Sequence, residues 1–200
     1  MKQARRTQAD RSATTRAALV RAGRKLFAEH GFAGVGTDAI VRAADVSRGA
    51  LYHHFADKTG LFVAVLDELE GEAARRVADA AATAPEGDFR ETMTRAMLAW
   101  LDACEDPELQ RILLVDGPSV VGWARWREIC QRHVLGMMEG VLAQGMAGGT
   151  VRELPVKALA HALLAVADET ALLISAADDP AAARRDVMAV VGPFLDALQP

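Results

Sequence analysis

Residues 37–58 read TDAIVRAADVSRGALYHHFADK. Thr37 can cap the N-terminus of a helix, because its hydroxyl can accept a hydrogen bond from a backbone N–H of the first turn. Ser47 supplies a second cap. Leu51 and Phe55, four residues apart, form the buried stripe of a short second helix. The stretch therefore predicts a helix-turn-helix followed by the start of a supporting helix.

The other faces of the short second helix carry hydrogen-bond donors, an aromatic ring and a residue without a side chain. Arg48 can pair with a guanine edge, and Tyr52 and His53 can reach phosphates or base edges in a major groove. Lys58 and the N-terminus of the following helix form an anion site suited to a phosphate. His54 faces either the groove or the interior, and a helix-turn-helix kept only as a scaffold is the alternative. The residues predicted to contact DNA are Thr37, Arg48, Gly49, Ala50, Tyr52, His53 and Lys58.

Residues 47–55 read SRGALYHHF, and Lys58 follows three residues later. This string, at this distance from the N-terminus and in a chain of 200 residues, resembles the signature of the TetR family of transcriptional repressors. The resemblance is specific over about residues 12–62. One residue departs from the family pattern, because Asp45 occupies the turn position that usually carries Gly. Asp tolerates left-handed backbone dihedrals better than most residues, so we expect the turn to form at a small cost.

The resemblance implies a fold and a mode of action for the whole chain. It implies a homodimer in which the last two helices of each chain form a four-helix bundle, and a body whose central helices enclose a ligand cavity. A ligand entering the body would shift the fourth helix and change the separation of the two DNA-reading helices. The differential affinity of the ligand for the two states sets how far the equilibrium moves.

Composition and charge favour a basic head on an acidic body. Residues 1–60 carry 11 Lys and Arg against 5 Asp and Glu, whereas residues 61–200 carry 12 against 22. A duplex-binding module with a separate regulatory body shows such an asymmetry, and chance clustering is the alternative. Apolar residues make up 51% of the chain with few β-branched runs, which favours an all-helical protein. The basic residues of the N-terminal tail, which either contact DNA as an arm or add a nonspecific charge term, are Lys2, Arg5, Arg6 and Arg11.

Hydrophobic periodicity and capping residues predict an all-α fold of nine helices with no sheet. The first three helices form a helix-turn-helix DNA-binding domain over residues 12–58, and the rest form a ligand-binding and dimerisation domain over residues 59–200. The fourth helix links the two mechanically, because its first turn packs on the head and its far end belongs to the body. Outside the helix-turn-helix, the predicted helices span about residues 14–30, 57–82, 89–104, 108–115, 122–145, 155–177 and 180–198.

Aromatic and sulfur-containing residues of the body are candidates for a cavity lining, because an apolar, aromatic lining suits a small-molecule site. Ordinary core packing is the alternative for each of them. Asp168 and Glu169 are adjacent carboxylates in a nearly all-apolar helix, so they need partners, water or a place facing the cavity. Their candidate partners are Arg125, Arg127 and Arg132. The residues whose contact with a ligand stays open are His133, His161 and Asp168. The residues predicted to line an effector site are Met97, Trp100, Cys104, Trp123, Trp126, Met137 and Glu169.

The last two helices carry apolar residues on most sides. The family resemblance implies that the apolar stripe on the inner side of each helix contacts a second chain. Arg184 is expected on the outer face of the ninth helix. His161, Asp168 and Glu169 interrupt the apolar stretch over residues 154–177, so a membrane span is rejected. The residues predicted to form the dimer interface are Leu159, Leu163, Val166, Thr170, Val187, Val191 and Phe194.

The sequence carries no recognised catalytic constellation, metal-ligand spacing or phosphate-binding glycine loop. The two cysteines form no CxxC, which favours a reduced protein. The N-terminus lacks the apolar segment of a signal peptide, so we predict a cytoplasmic protein. We also predict no enzyme activity, cofactor or metal. The predicted function is a homodimeric regulator that binds palindromic, double-stranded operator DNA, most simply as a repressor, and is released by a small apolar or aromatic effector. A small-molecule enzyme with an incidental helix-turn-helix and a protein-interaction module that has lost DNA binding are the alternatives. The effector, the operator and the choice between repression and activation stay open.

Overall fold

The computed structural model describes residues 8–200, and within that range every regular element is a helix, as the periodicity predicts. Nine helices form in this part of the chain. The head contains α1 (Gln8–Gly34), α2 (Thr37–Ala43) and α3 (Arg48–His54). Four continuous helices of the body are α4 (Lys58–Ala81), α5 (Phe89–Cys104), α8 (Val156–Ser175) and α9 (Pro180–Asp196). Two composite helices complete it: α6 joins Pro107–Leu109, a π-helical segment Gln110–Asp116 and Gly117–Val121, and α7 joins Trp123–Cys130, a π-helical segment Gln131–Leu135 and Gly136–Ala147.

Helix α1 is longer than its periodicity predicts. It begins at Gln8 rather than near residue 14, so Arg11 belongs to a helix and not to a mobile tail. Gly31 interrupts the helix as predicted, with a left-handed φ of 68° and a ψ of 165°, but helical structure resumes and ends at Gly34. The predicted arm residues Lys2, Arg5 and Arg6 lie outside the described residues.

The helix-turn-helix forms as predicted except for its first cap. Gly36, not Thr37, is the N-cap of α2, because Gly36 has the extended dihedrals that a cap requires and Thr37 is already helical. Asp45 adopts a left-handed φ of 53° in the turn. Ser47 then caps α3, since its Oγ accepts a hydrogen bond of 3.2 Å from the backbone N–H of Ala50. The turn position that usually carries Gly is therefore formed by an aspartate.

Substitutions at Asp45 should report the cost of this left-handed turn. Asp45→Val should lower the free energy of unfolding by about 1.5 kcal/mol, because a branched side chain is strained at positive φ. Asp45→Gly should change the free energy of unfolding by less than about 0.5 kcal/mol, since relief of strain and the larger entropy of the unfolded chain oppose each other. Urea unfolding followed by circular dichroism measures both, and equal effects of Val and Gly would contradict this account of the turn.

Helix α4 connects the head to the body. Its first turn is capped by Asp57, whose Oδ1 accepts a 2.7 Å hydrogen bond from the N–H of Gly60. Phe62 is fully buried, and its ring lies edge-on to the rings of Phe27 and Phe32 with centroids 5.3 and 5.2 Å apart. Val77, four turns later, is buried among residues of the body. Helix α4 thus contributes buried residues to the parts of the hydrophobic core that lie in the head and in the body.

Polar contacts also join α1 to the body. Arg24 donates hydrogen bonds of 2.8 Å to Glu72 on α4 and to Glu108 on α6. The bond to Glu108 raises the pKa of Arg24 further above its usual value. The backbone N–H of Phe32 donates to Oδ2 of Asp116 at the end of the α6 π-helical segment, at 2.8 Å. A movement of α4 or α6 is therefore transmitted to α1 by direct bonds as well as by packing.

The π-helical segments of α6 and α7 were not predicted. A π-helical turn accommodates an extra residue, so the apolar residues before and after it do not share one α-helical period. The predicted end of a helix at about residue 115 is wrong, because helix continues to Val121. Pro118 follows the π-helical segment, as the second residue of Gly117–Val121. The chain instead turns at Gly122, which has a φ of 78°.

Helices α8 and α9 pack on each other and on α5. Pro155 precedes α8 as its N-cap, so it does not occupy the first helical position that the sequence suggested. Helix α9 continues through Pro193 to Asp196. Arg184 does not lie on a free outer face, because it forms ion pairs with Asp102 and Glu105 of α5. It therefore fastens α9 to the body.

Candidate nucleic-acid interface and body cavity

Helix α3 presents the surface that the sequence predicts. Leu51 is fully buried and Phe55 is 7% exposed, so these two residues hold the helix against the head. Tyr52 is 46% exposed on the opposite side. Arg48, Gly49 and His53 are exposed, and Ala50 is half-buried, as is Thr37 at the start of α2. Contact of these residues with DNA stays a prediction.

Arg48 is held by contacts that a ligand can replace. Its Nη1 lies 3.3 Å from Oδ1 of Asp38, and its guanidinium carbon lies 5.8 Å from the centroid of the Tyr52 ring. Contact with the Tyr52 hydroxyl, followed by the charge of Asp38, raises the pKa of Arg48. Both members of the ion pair are well exposed, and such a pair contributes little to stability. The guanidinium can therefore be redirected to a phosphate or a guanine edge.

His54 lies between the two environments that the sequence left open. It is half-buried, and its ring packs against His53 with centroids 5.1 Å apart. Burial lowers the pKa of His54, and the nearby charges of His53 and Arg16 lower it further. His54 is therefore neutral near pH 7 and is available as a hydrogen-bonding group rather than as a cation.

Lys58 has structural partners that the sequence did not reveal. Its Nζ donates to the carbonyl oxygens of Phe32 and Val35 at 2.8 and 2.9 Å, and it lies 4.0 Å from the centroid of the Phe32 ring. The ammonium group thus joins the start of α4 to the segment that ends α1. One of its three protons is not used by these two bonds. A phosphate contact by that proton stays a prediction.

A groove beside α3 brings the first turns of α1 next to the predicted reading surface. Arg11 lines this groove opposite His53, whereas the sequence assigned Arg11 to the tail. The hydroxyl of Thr14 donates to the carbonyl oxygen of Asp10 four residues earlier at 2.8 Å, a bond that belongs to a helix already formed at that point. The groove is lined by Gln8, Arg11, Ser12, Thr15, Ser47, Gly49, Ala50, His53 and His54.

A small cavity of about 50 Å³ lies inside the body, between α4, α5, α7, α8 and α9. All fourteen of its lining residues are apolar, and none of them carries a formal charge. The indole N–H of Trp100 is buried and has no hydrogen-bond partner in the described part of the chain. The lining consists of Val77, Met93, Ala96, Met97, Trp100, Val134, Met138, Leu163, Leu164, Val166, Ala167, Val191, Phe194 and Leu195.

Met97 and Trp100 are the predicted effector residues that line this cavity. The structure places the other five elsewhere. Trp123 is 64% exposed, because it begins α7 immediately after the turn at Gly122, and Glu169 is exposed on α8. Trp126, Met137 and Cys104 pack outside the cavity, and Cys104 lines a separate cleft between α5, α8 and α9. Residue type alone did not distinguish core, surface and lining.

The polar residues of the body core form a partly satisfied cluster, because Nε and Nη1 of Arg127 are buried without a hydrogen-bond partner among the described residues. Cys130 Sγ donates to Oε1 of Glu70 at 3.1 Å, and burial raises the pKa of Glu70. Arg127 Nη2 lies 3.3 Å from Oδ2 of Asp168, which confirms one of the three predicted arginine partners. Burial raises the pKa of Asp168 to about 7 despite this ion pair. Burial also raises the pKa of Cys104 to about 12, so this thiol is unreactive at neutral pH.

The open histidines are not among the residues that line the cavity. His133 Nε2 lies 3.1 Å from Oδ1 of Asp67 on α4, and this pair joins α7 to α4. His161 is half-buried on α8. Across residues 8–200, no group of three or more His, Cys, Asp or Glu side chains is arranged to hold a metal ion.

The predicted dimer residues divide into two sets. Leu163, Val187 and Val191 are 5–6% exposed in the core of a single chain, which corrects their assignment to an interface. Leu159, Val166 and Thr170 are half-buried on another side of α8, and Phe194 is 41% exposed on α9. The cause of the error is that α8 is apolar on two sides, so its period does not show which side faces its own core.

A mainly apolar surface runs along these two helices, beside the exposed carboxylates of Glu169 and Asp186, and we name it the α8–α9 face. Leu173 is 56% exposed and Val190 is 71% exposed within it. Thr170 donates its hydroxyl to the carbonyl of Val166, at 2.7 Å, so its polar group is satisfied within the helix. The α8–α9 face consists of Leu159, Ala162, Val166, Thr170, Leu173, Val190 and Phe194.

Helix α8 is also long and apolar enough to cross a membrane by length and composition, with a mean hydropathy of 1.5 over its most apolar window. Of that window, 39% is buried inside the chain. A core helix of a soluble protein passes the same test. The buried Asp168, paired with Arg127, lies on the core side of α8, so α8 is a core helix.

Two family models match the chain, and together they cover both of its parts. Residues 19–65 match the model described as bacterial regulatory proteins, tetR family. Residues 90–198, more than half of the chain, match the model described as tetracyclin repressor-like, C-terminal domain. The first match contains the helix-turn-helix, and the second contains most of the cavity lining.

Curated relatives match about half of the chain. The HTH-type transcriptional repressor AcnR of Corynebacterium efficiens is 38% identical over 99 residues, which are 50% of this chain and 45% of AcnR. The HTH-type transcriptional regulator CymR of Pseudomonas putida is 38% identical over 90 residues, which are 44% of each chain. This chain therefore spans a little under half the length of these curated relatives.

Solved structures match nearly the whole chain. A TetR-family transcriptional regulator from Pectobacterium atrosepticum is 34% identical, with a TM-score of 0.79 over 97% of this chain and 98% of that one. RolR, in complex with resorcinol, is 18% identical, with a TM-score of 0.72 over 96% of this chain and 90% of RolR. At that identity the second match shows a common fold and no more.

Proposed function

Because this chain belongs to the TetR family of transcriptional regulators, we propose that it is a DNA-binding transcriptional repressor that acts as a homodimer on a palindromic operator and is released by a small effector. The observation that carries the proposal is the exposed surface of α3, with Arg48, Tyr52 and His53 outward and Leu51 buried. A basic head on an acidic body supports it, because the head is attracted to a duplex and the body is not.

The division of labour follows the predicted domains, with DNA binding by residues 12–58 and effector binding and dimerisation by residues 59–200. Helix α4 crosses this boundary. Three hydrogen bonds also connect the head to the body: from Arg24 to Glu72, from Arg24 to Glu108, and from the backbone of Phe32 to Asp116. Such contacts transmit an effector-induced shift only if the effector binds the DNA-free arrangement more tightly than the DNA-bound one. The protein acts in the cytoplasm, where its operator is.

We infer that the effector is an uncharged, mainly apolar molecule. None of the fourteen cavity residues carries a charge, so an ionised ligand would lose its hydration without gaining a counter-ion. The unpartnered indole N–H of Trp100 favours an effector that carries one hydrogen-bond acceptor, such as a carbonyl or hydroxyl oxygen. A volume of about 50 Å³ is too small for such a molecule, so binding must move helices or side chains of the body.

Operator binding can be tested with the full chain and two labelled duplexes, one from the region upstream of its own coding sequence and one of scrambled sequence. Wild type should bind the upstream duplex at least about a thousandfold more tightly at physiological salt. Tyr52→Ala should lower this preference by at least about tenfold, because Tyr52 is predicted to read bases or fix the register on the phosphates.

Trp123→Ala is the matched control, because Trp123 is an exposed aromatic residue in the body, 64% exposed against 46% for Tyr52. Its loss should leave both affinities unchanged in fluorescence anisotropy. Equal binding of the two duplexes by wild type would contradict operator recognition. An unchanged preference in Tyr52→Ala would contradict the assignment of α3 as the helix that reads the operator.

A further inference from the structure

We propose that the cleft between the ends of α5 and α8 and the beginnings of α6 and α9 is a second small-molecule site, for an uncharged molecule with an apolar body and an amide-like edge. We name it the α5–α9 cleft. It is separate from the body cavity, because the two share no lining residue. This inference does not rest on the proposed function, since binding at the cleft is measured without DNA.

The α5–α9 cleft has the volume that a small ligand needs. It encloses about 510 Å³, against about 50 Å³ for the cavity, and small-molecule sites usually have about 300–1,000 Å³. Its floor is already formed by side chains from α5 and α8 that are each 7% exposed or less: Leu101, Cys104, Ala171 and Ile174. Pro180 and Ala181 add apolar surface from the first turn of α9. An apolar ligand therefore gains contacts without opening the body.

Polar contacts fix the walls of the cleft relative to each other. Arg184 of α9 donates a 2.7 Å hydrogen bond to Oε1 of Glu105 at the end of α5, and it also pairs with Asp102. Asp179 caps the first turn of α9, because its Oδ1 accepts a 2.9 Å hydrogen bond from the N–H of Ala182. A site with fixed walls loses little conformational entropy when a ligand binds.

The lining of the cleft carries no net charge. Its two formal charges, on Arg184 and Glu105, belong to one ion pair. The thiol of Cys104 stays protonated at neutral pH, because burial raises its pKa to about 12. An ionised ligand would give up hydration without gaining a free counter-ion, so the cleft favours an uncharged ligand.

Gln110 is the residue that selects the polar edge of the ligand. It lines the cleft from the beginning of α6 and is half-buried, and no hydrogen bond joins its side chain to another group in residues 8–200. A side-chain amide offers an acceptor and two donors. It is therefore complementary to a group that presents a donor and an acceptor side by side, as amides, lactams and ureas do. The hydroxyl of Ser175, which also lines the cleft, donates to the carbonyl of Leu172 and can accept from a further donor of the ligand.

The test uses the full chain without DNA, in isothermal titration calorimetry with naphthalene-1-carboxamide and 1-acetylnaphthalene. These uncharged ligands have the same shape, but the ketone carries a methyl group where the amide carries its donor. Wild type should bind the amide with a dissociation constant below about 1 mM. It should bind the ketone about fivefold more weakly, because one hydrogen bond to Gln110 is lost. Gln110→Leu should bind the two ligands about equally, since leucine fills similar space without a polar group.

Two substitutions that fill space locate the site. Ala181→Phe, at an exposed position in the first turn of α9, fills the α5–α9 cleft and should weaken binding of both ligands at least about tenfold. Ala96→Leu fills the cavity from α5 and should leave both affinities unchanged. Circular dichroism and the unfolding midpoint show that each variant is folded.

The contrary results are distinct. Binding that is lost in Ala96→Leu and kept in Ala181→Phe would place the ligands in the cavity and overturn the inference. No binding of either ligand by wild type at millimolar concentration would overturn it as well. Equal binding of amide and ketone by wild type, which needs no substitution, would overturn the selection by Gln110, as would a preference that survives in Gln110→Leu. None of these results changes the outcome for operator binding, which the two duplexes test separately.

Discussion

Val190→Arg is expected to abolish specific operator binding while leaving each head folded. Val190 is 71% exposed, so arginine is tolerated in the monomer, but two guanidinium groups brought together on the α8–α9 face would be buried without partners. Separate subunits cannot hold two copies of α3 at the spacing of two half-sites. The affinity for the palindromic duplex should therefore fall by at least about a thousandfold, toward the affinity for scrambled DNA.

This result is measured by fluorescence anisotropy with the two labelled duplexes. Arg185→Glu on the same helix should retain operator preference, although its charge change lowers nonspecific affinity slightly. Arg184→Glu is not a suitable control, because Arg184 pairs with Asp102 and Glu105 of α5. Val191→Lys is not a suitable variant for breaking the dimer. Val191 is 5% exposed in the core of its own chain, so a charge there would unfold the body. A monomeric Val190→Arg that still prefers the operator would contradict the two-half-site mechanism.

Gly31→Ala is expected to lower the free energy of unfolding by about 3 kcal/mol. The backbone at Gly31 has φ 68° and ψ 165°, a region that is essentially restricted to glycine. A Cβ atom at this position would also clash with Nη2 of Arg111, so the arginine would have to move away from Asp116. Asp116 in turn accepts the hydrogen bond from Phe32, so the substitution disturbs the joint between α1 and α6.

Gly34→Ala is the matched control three residues later. Its added Cβ would meet only the Cβ of His30, at 3.5 Å, which is an ordinary contact. Because alanine restricts the unfolded chain, Gly34→Ala should be neutral or should stabilise the protein by up to about 1 kcal/mol. Urea unfolding of the two variants gives the comparison, and a loss below about 1 kcal/mol for Gly31→Ala would show that the segment relaxes into an ordinary conformation.

The head was predictable because its signals are local. Ser47 as a cap, Leu51 and Phe55 as a buried pair and Asp45 as a left-handed turn residue all act within a few positions of the chain, and each is found as predicted. The assignment of Thr37 as a cap failed by one residue, which is the usual uncertainty at a helix end. The partners of Lys58 were not predicted, for a different reason. They are carbonyl groups 23 and 26 residues away, and backbone groups leave no trace in residue type.

The body was predictable in its helices but not in its faces. The π-helical segments shift the apolar period in the middle of α6 and α7, so a single helical pattern places their residues incorrectly. In α8, Leu163 and Val166 are three residues apart and equally apolar, yet one is 6% exposed and the other faces the outer side. Which side meets the chain's own core depends on how α8 packs against α5 and α9, and that information is not local to the helix.

The double position of Phe194 restricts how this protein can diverge after gene duplication. A substitution that reshapes the cavity from Phe194 also alters the surface of α9, so in the proposed dimer a copy that acquires a new effector would change its self-recognition in the same step. Two such copies in one cell would then lose the ability to form mixed pairs, and each would keep its own regulatory circuit. A substitution at Met97 or Trp100, deeper in the body, lacks this property, so divergence through those positions would leave the two circuits able to interfere.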